Sequence, residues 1–192
     1  MKFADYIKPI NEGKNLIVVD VQPGHQNFIS FDIYDFTEYL NSYSGKIDYV
    51  FNGPDLGYED EFELQDWLLE NGLDEDTLRR ITFYPKSYGW IRSAMDVIDE
   101  EDIIHILKYM IKKNYSDSRE IDEDDYKKLK IQDDAIDFLE SDSLGLPDIY
   151  DDMKHFNNSE IIGGGQNECL LEMEITLEAM KIKTKRNRHF IY

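Results

Sequence analysis

The chain has 192 residues, 41% of them apolar and 13% aromatic, enough for one domain with a substantial core. Its 41 acidic residues against 21 basic ones give a formal charge of -20, a potential that repels phosphate backbones and anionic lipid and so argues against nucleic acid and membrane as partners. A single cysteine forms no internal disulfide, no N-terminal stretch reads as a signal peptide, and no apolar run approaches the ~18 residues of a bilayer span, so the expected location is the cytoplasm.

In chain order, "NLIVVDVQP" (15–23) is an unalternating β-branched run closed by Pro23 and Gly24, the pattern of a strand covered on both faces. Ser30 or Asp32 can cap a helix over "FDIYDFTEYL", where Ile33, Phe36 and Leu40 share a face. "KIDYVFNGPD" reads as a second strand stopped by a turn, and "FELQDWLLENG" as a second helix ended by Gly72. "RRITFYPKSYG" gives a third strand, closed by Pro85. Residues 100–157 change character. "EEDIIHILKYMIKK" is amphipathic, acidic helical segments follow near 122–130 and 133–140, and the region reads as a helical insertion without a core of its own. "SEIIGG" resumes the sheet, a helix starts at Cys169, and "KIKTKRN" closes the sheet. The expectation is a single α/β domain over 1–192, doubly wound, with a mainly parallel sheet of five to six strands and helices on both faces.

In such sheets chemistry gathers at the carboxyl ends of the strands. Three polar residues fall there. Cys169, behind Gly163, Gly164 and Gly165, is either a small buried hydrophobe or a thiol made acidic by a helix N-terminus, whose free N–H groups also suit an oxyanion. Asp20 ends four apolar residues and reads as a general base or as a cap. Lys86 reads as a solvated lysine or as a cation steadying a thiolate.

Together these motifs resemble the isochorismatase-like cysteine hydrolases, the superfamily that includes nicotinamidases. "LIVVDVQ" matches its strand ending in Asp-x-Gln. "FYPKSYGW" matches its lysine followed by aromatics, and Gly163 stands six residues before a helix-starting cysteine with Leu170 next. The resemblance spans 15 to about 187, with 100–157 as a long insertion. It implies that Cys169 attacks a carbonyl, Asp20 takes the thiol proton and Lys86 holds both. It further implies an oxyanion hole from the backbone N–H groups of Gly165 and Cys169, a cis bond between Gly164 and Gly165, and amide hydrolysis through a thioester.

The chain also departs from that pattern. "FNGPDLGYEDEF" carries no histidine where nicotinamidases hold a metal, so neither metal nor cofactor is expected, and nicotinamide is disfavoured as substrate. The first loop is remodelled as "PGHQNF", Gln166 replaces a usual threonine, and Glu168 beside the thiol would raise its pKa. After the fifth strand the family's last helix and strand are not expected here, which would leave an exposed edge or a place for a partner. Gln22, His25, Asn52, Tyr88 and Trp90 are candidate substrate-pocket residues, with Arg92 a further wall. Turn chemistry explains Asn52 and Asp55 equally well, and the aromatic pair reads equally as core. His105, His155 and His189 share no metal-ligand spacing. The expected function is cysteine-dependent hydrolysis of a carbon–nitrogen bond in a small molecule. The alternatives are a catalytically inactive binding or assembly protein of the same fold, or an ester or ether hydrolase. Family members often self-associate, so a homo-oligomer is compatible with the resemblance.

Overall fold

Five strands, Leu16–Val19 (β1), Ile47–Asn52 (β2), Ile81–Lys86 (β3), Ser159–Gly163 (β4) and Thr184–Arg186 (β5), pair in the order β3-β2-β1-β4-β5, every neighbour parallel. The structure, a computed structural model, describes residues 15–86 and 91–192. The parallel α/β sheet expected from the unalternating runs is present: β1, β2 and β4 are buried along their whole length.

Helices cover both faces. Ile33–Ser42 (α1), Glu61–Glu70 (α2) and the short Glu75–Leu78 (α3) lie on one side, where Phe36, Leu40, Leu64 and Leu68 pack on Leu16, Val18 and Ile162. Arg92–Met95 (α4), Glu100–Lys113 (α5), Glu123–Leu129 (α6), Asp133–Ser141 (α7), Tyr150–Met153 (α8) and Cys169–Ala179 (α9) lie on the other, over Ile17, Val19, Val50 and Ile161. Local chemistry sets the helix starts. Asp32 is the cap of α1, accepting from the Tyr34 N–H at 2.8 Å, and Asp60 forms a capping box with Glu63 at α2. The 100–157 region does not stand apart. Ile103, Leu107 and Phe138 join the sheet residues in one apolar layer, and α5 packs along α9.

Two boundaries differ from expectation. β1 stops at Val19, because Asp20 turns into the left-handed region with φ 51°. β3 runs through Pro85 to Lys86, with Pro85 opposite Phe51. Proline is tolerated there because β3 is an edge strand, where a missing N–H costs no ladder bond. Among the described residues no helix is long and apolar enough to cross a membrane.

The strand order sets the site. The chain lays down β1, β2 and β3 successively outward, then returns through the helical region to place β4 on the other side of β1. The connections leaving β1 and β4 therefore diverge, and a crevice opens at their carboxyl ends.

Candidate active site

Asp20, Asn52, Lys86 and Gly163 stand at the carboxyl ends of β1, β2, β3 and β4, so the parallel sheet alone brings four distant segments to one rim. The Asp20 side chain is fully buried and the Lys86 side chain is 2% exposed; Lys86 Nζ lies 2.6 Å from Asp20 Oδ2. The solvated reading of Lys86 is thus overturned, and Asp20 pairs with a cation instead of capping the next segment. Cys169, half-buried, is the first residue of α9 and lines a cavity of about 760 Å³ with Lys86, Glu172, His25 and Asn52. Asp20 Oδ1 is buried without a fully formed hydrogen bond, while the carboxylate acts on the neighbouring thiol as charge and as acceptor.

The glycine turn places the thiol. Gly163 has φ +83°, and a Cβ there would lie 2.3 Å from the Val19 carbonyl oxygen, so β4 approaches β1 too closely for any side chain. Gly164 has φ +65°, and a Cβ there would press on Leu170 at the first turn of α9. These two left-handed residues reverse the chain, and no cis peptide bond occurs among the described residues, so the cis bond implied at Gly164 and Gly165 is corrected. Among the described residues no backbone carbonyl accepts from the N–H of Gly165 or of Cys169, and both residues line the cavity. Such free N–H groups at the entrance to a helix are suited to an anion.

The electrostatics depart from the expectation of an acidified thiol. Burial is the largest influence on Cys169, and Asp20 and then Glu172 add to it; together they outweigh the Lys86 ammonium and push the thiol up to about 12. Glu168, expected to oppose the thiol, instead lines the cavity with its side chain 61% exposed and pairs with Arg92 at 3.1 Å; it is not among the charges that move the thiol. For Lys86, burial works against the charge, but Asp20 and Glu172 overcome it and hold the ammonium above its usual range. Glu172, 2% exposed, is raised by burial despite the Lys86 charge.

The remaining candidates form the scaffold and wall. Gln22 does not reach the cavity. Its amide Oε1 accepts from the Asn52 N–H at 2.8 Å and its Nε2 donates to the Asn52 carbonyl at 3.1 Å, which locks the ends of β1 and β2 together. His25 is buried. Asn52 Nδ2 lies 3.3 Å from His25 Nε2, which makes that nitrogen the acceptor, so Nδ1 carries the proton toward the Asp20 carbonyl at 3.0 Å. Arg92 lines the cavity, and Asp55 sits in the turn after β2, away from it. Tyr88 and Trp90 lie outside the described residues.

Glu172 and Tyr192 are among the site residues that escaped the sequence reading. Glu172 had a signal: it stands three residues after Cys169 inside an apolar helix, one turn along the same face. Tyr192 had none. Its hydroxyl donates to the Asp20 carbonyl at 2.7 Å, and its backbone meets the glycine turn through Gln166 N–H to Tyr192 O at 2.8 Å. Comparison with family models, with curated proteins and with solved structures gives no match to this chain.

Proposed function

We propose that the protein is a cysteine hydrolase acting on a carbon–nitrogen bond of a small molecule, as the resemblance to the isochorismatase-like hydrolases suggests. The observation that carries this reading is the sealed Lys86–Asp20 pair, 2.6 Å between Nζ and Oδ2, set beside a cysteine that opens onto a cavity. Burying such a pair costs several kcal/mol of desolvation per ion, and removing either partner leaves the other charge uncompensated.

In this reading the Cys169 sulfur attacks the amide carbonyl carbon while the thiol proton passes to Asp20. The oxygen gathers negative charge within reach of the Gly165 and Cys169 N–H groups. The carbon–nitrogen bond then breaks, Asp20 returns the proton to the departing amine, and a thioester remains. Water, deprotonated by Asp20, attacks the thioester to release the acid and restore the thiol. Lys86 holds the Asp20 carboxyl group in place through these proton transfers. A thiol resting near 12 is compatible with this route only because Asp20 removes its proton during attack, as a general base.

That same high value favours a second reading, a binding protein of this fold whose thiol stays inert. The two are separated by intact-mass spectrometry after incubation with panels of amides and aldehydes. A hydrolase gives a covalent adduct that Cys169→Ala abolishes, whereas a binding protein retains ligand without any mass shift. Asp20→Asn then sharpens the result. It removes the base, so acylation falls on the order of 10²- to 10⁴-fold. It also removes a charge that raises the thiol pKa, so alkylation by iodoacetamide at pH 8 accelerates. Effects of the same sign on both reactions would refute the assigned role of Asp20.

A further inference from the structure

Glu172 has no part in the steps above, yet it is as deeply buried as Lys86. Its Oε2 lies 3.6 Å from Lys86 Nζ, and its Oε1 accepts the Ile91 N–H at 3.1 Å. Lys86 and Ile91 flank one short stretch of chain, so a single carboxylate ties both ends of that stretch to α9, one turn beyond Cys169. Packing alone does not call for this. A glutamine of the same shape would fill the space and could still accept from Ile91 without the cost of a second buried charge. What the carboxylate adds is a charge that competes with Asp20 for one ammonium.

We propose that Glu172 is a positioning residue that shares the Lys86 charge with Asp20 and so keeps the Cys169 thiol protonated in the resting protein. The consequence rests on the hydrolase reading: a protonated thiol is shielded from adventitious electrophiles and attacks only where Asp20 accepts its proton as the sulfur–carbon bond forms. The direction of the effect on the thiol, upward from Asp20 and Glu172 and downward from Lys86, agrees with this arrangement.

The test is the rate of iodoacetamide alkylation at pH 8, where rate follows the small thiolate fraction. Glu172→Gln removes the charge, keeps the acceptor for Ile91, and leaves Asp20 and the thiol the share of the Lys86 field that Glu172 had held. A drop of about one pKa unit, and so a roughly tenfold faster alkylation, is expected. Glu174→Gln makes the same net-charge change on the same helix at a residue paired with Arg186, and leaves the rate within about twofold of the original. Glu172→Asp keeps the charge on a shorter arm and stays near the original rate, which provides a reading even if the glutamine variant folds poorly. A rate unchanged in Glu172→Gln, or raised equally in Glu172→Asp, overturns the proposal. Alkylation reports on the thiol whether or not any amide is turned over. A tenfold rise without acyl adducts from any amide therefore removes the hydrolase reading and leaves this role for Glu172 in place.

Discussion

Asp20 and Asp48 are both fully buried, each offers one oxygen to a lysine, and each keeps its other oxygen without a fully formed hydrogen bond. They stand at opposite ends of the sheet. Asp48, second residue of β2, takes Lys46 at 2.8 Å, with His155 Nε2 and the Tyr84 hydroxyl each at 3.3 Å. The lysines differ more than the carboxylates do. Lys46 is 40% exposed and sheds much of its charge into water, whereas Lys86 is 2% exposed and depends wholly on protein groups. The first cluster fastens the chain after α8 to the amino edge of the sheet. The second faces a cavity and a thiol. The same pair of residue types thus serves as a clasp where water reaches the cation, and as a poised charge where it does not.

That contrast can be broken most decisively by the lysines themselves. Lys86→Met leaves a carboxylate buried beside an uncharged chain and should cost about 3–5 kcal/mol in urea unfolding. Lys46→Met leaves Asp48 with His155 and Tyr84 and should cost about 1 kcal/mol. Equal losses would erase the distinction. Glycines give a second, smaller contrast. Gly163→Ala, with φ +83° and the Val19 oxygen in the way, should cost about 2–3 kcal/mol and lower Cys169 alkylation through a displaced α9. Gly145→Ala meets nothing within 4 Å and should change stability by less than about 0.5 kcal/mol in the same assay.

A third contrast concerns alkaline pH. In the folded protein the Cys169 thiol keeps its proton up to about 12, while in the unfolded chain it loses it near 9.0. Between those values the folded state binds more protons, so stability falls as pH rises, by about 1.4 kcal/mol per pH unit from this group. Cys169→Ala should reduce that slope in unfolding titrations between pH 9 and pH 10.5, while Gly145→Ala, whose added methyl meets nothing within 4 Å, should leave it as it was.

Much of this arrangement was legible before any coordinates. Unalternating runs such as Leu16–Val19 announce a strand buried on both faces, and the alternation of strands with helical segments announces a parallel sheet, whose carboxyl rim then collects Asp20, Lys86 and Cys169. Periodicity could not show where β1 ends, because Asp20 leaves the strand through its own backbone torsion and not through a turn-forming neighbour. Nor could it show that β3 lies at the edge, which is what lets Pro85 remain inside it. The sign of the thiol shift was hidden for another reason. A helix N-terminus is visible in sequence, but the depth of burial and the two carboxylates that raise the thiol come from chain segments folded together.

The left-handed backbone at Asp20 carries a consequence for how this rim can vary. Among residues with a side chain, aspartate and asparagine enter that torsional basin most readily, while longer or β-branched residues resist it. Glutamate is therefore disfavoured there twice over, by its reach and by its main chain. The easiest neutral replacement, asparagine, would preserve the bend, the strand end and the His25 and Tyr192 contacts while deleting the charge. A silent twin of this protein would thus differ from it by a single side-chain atom.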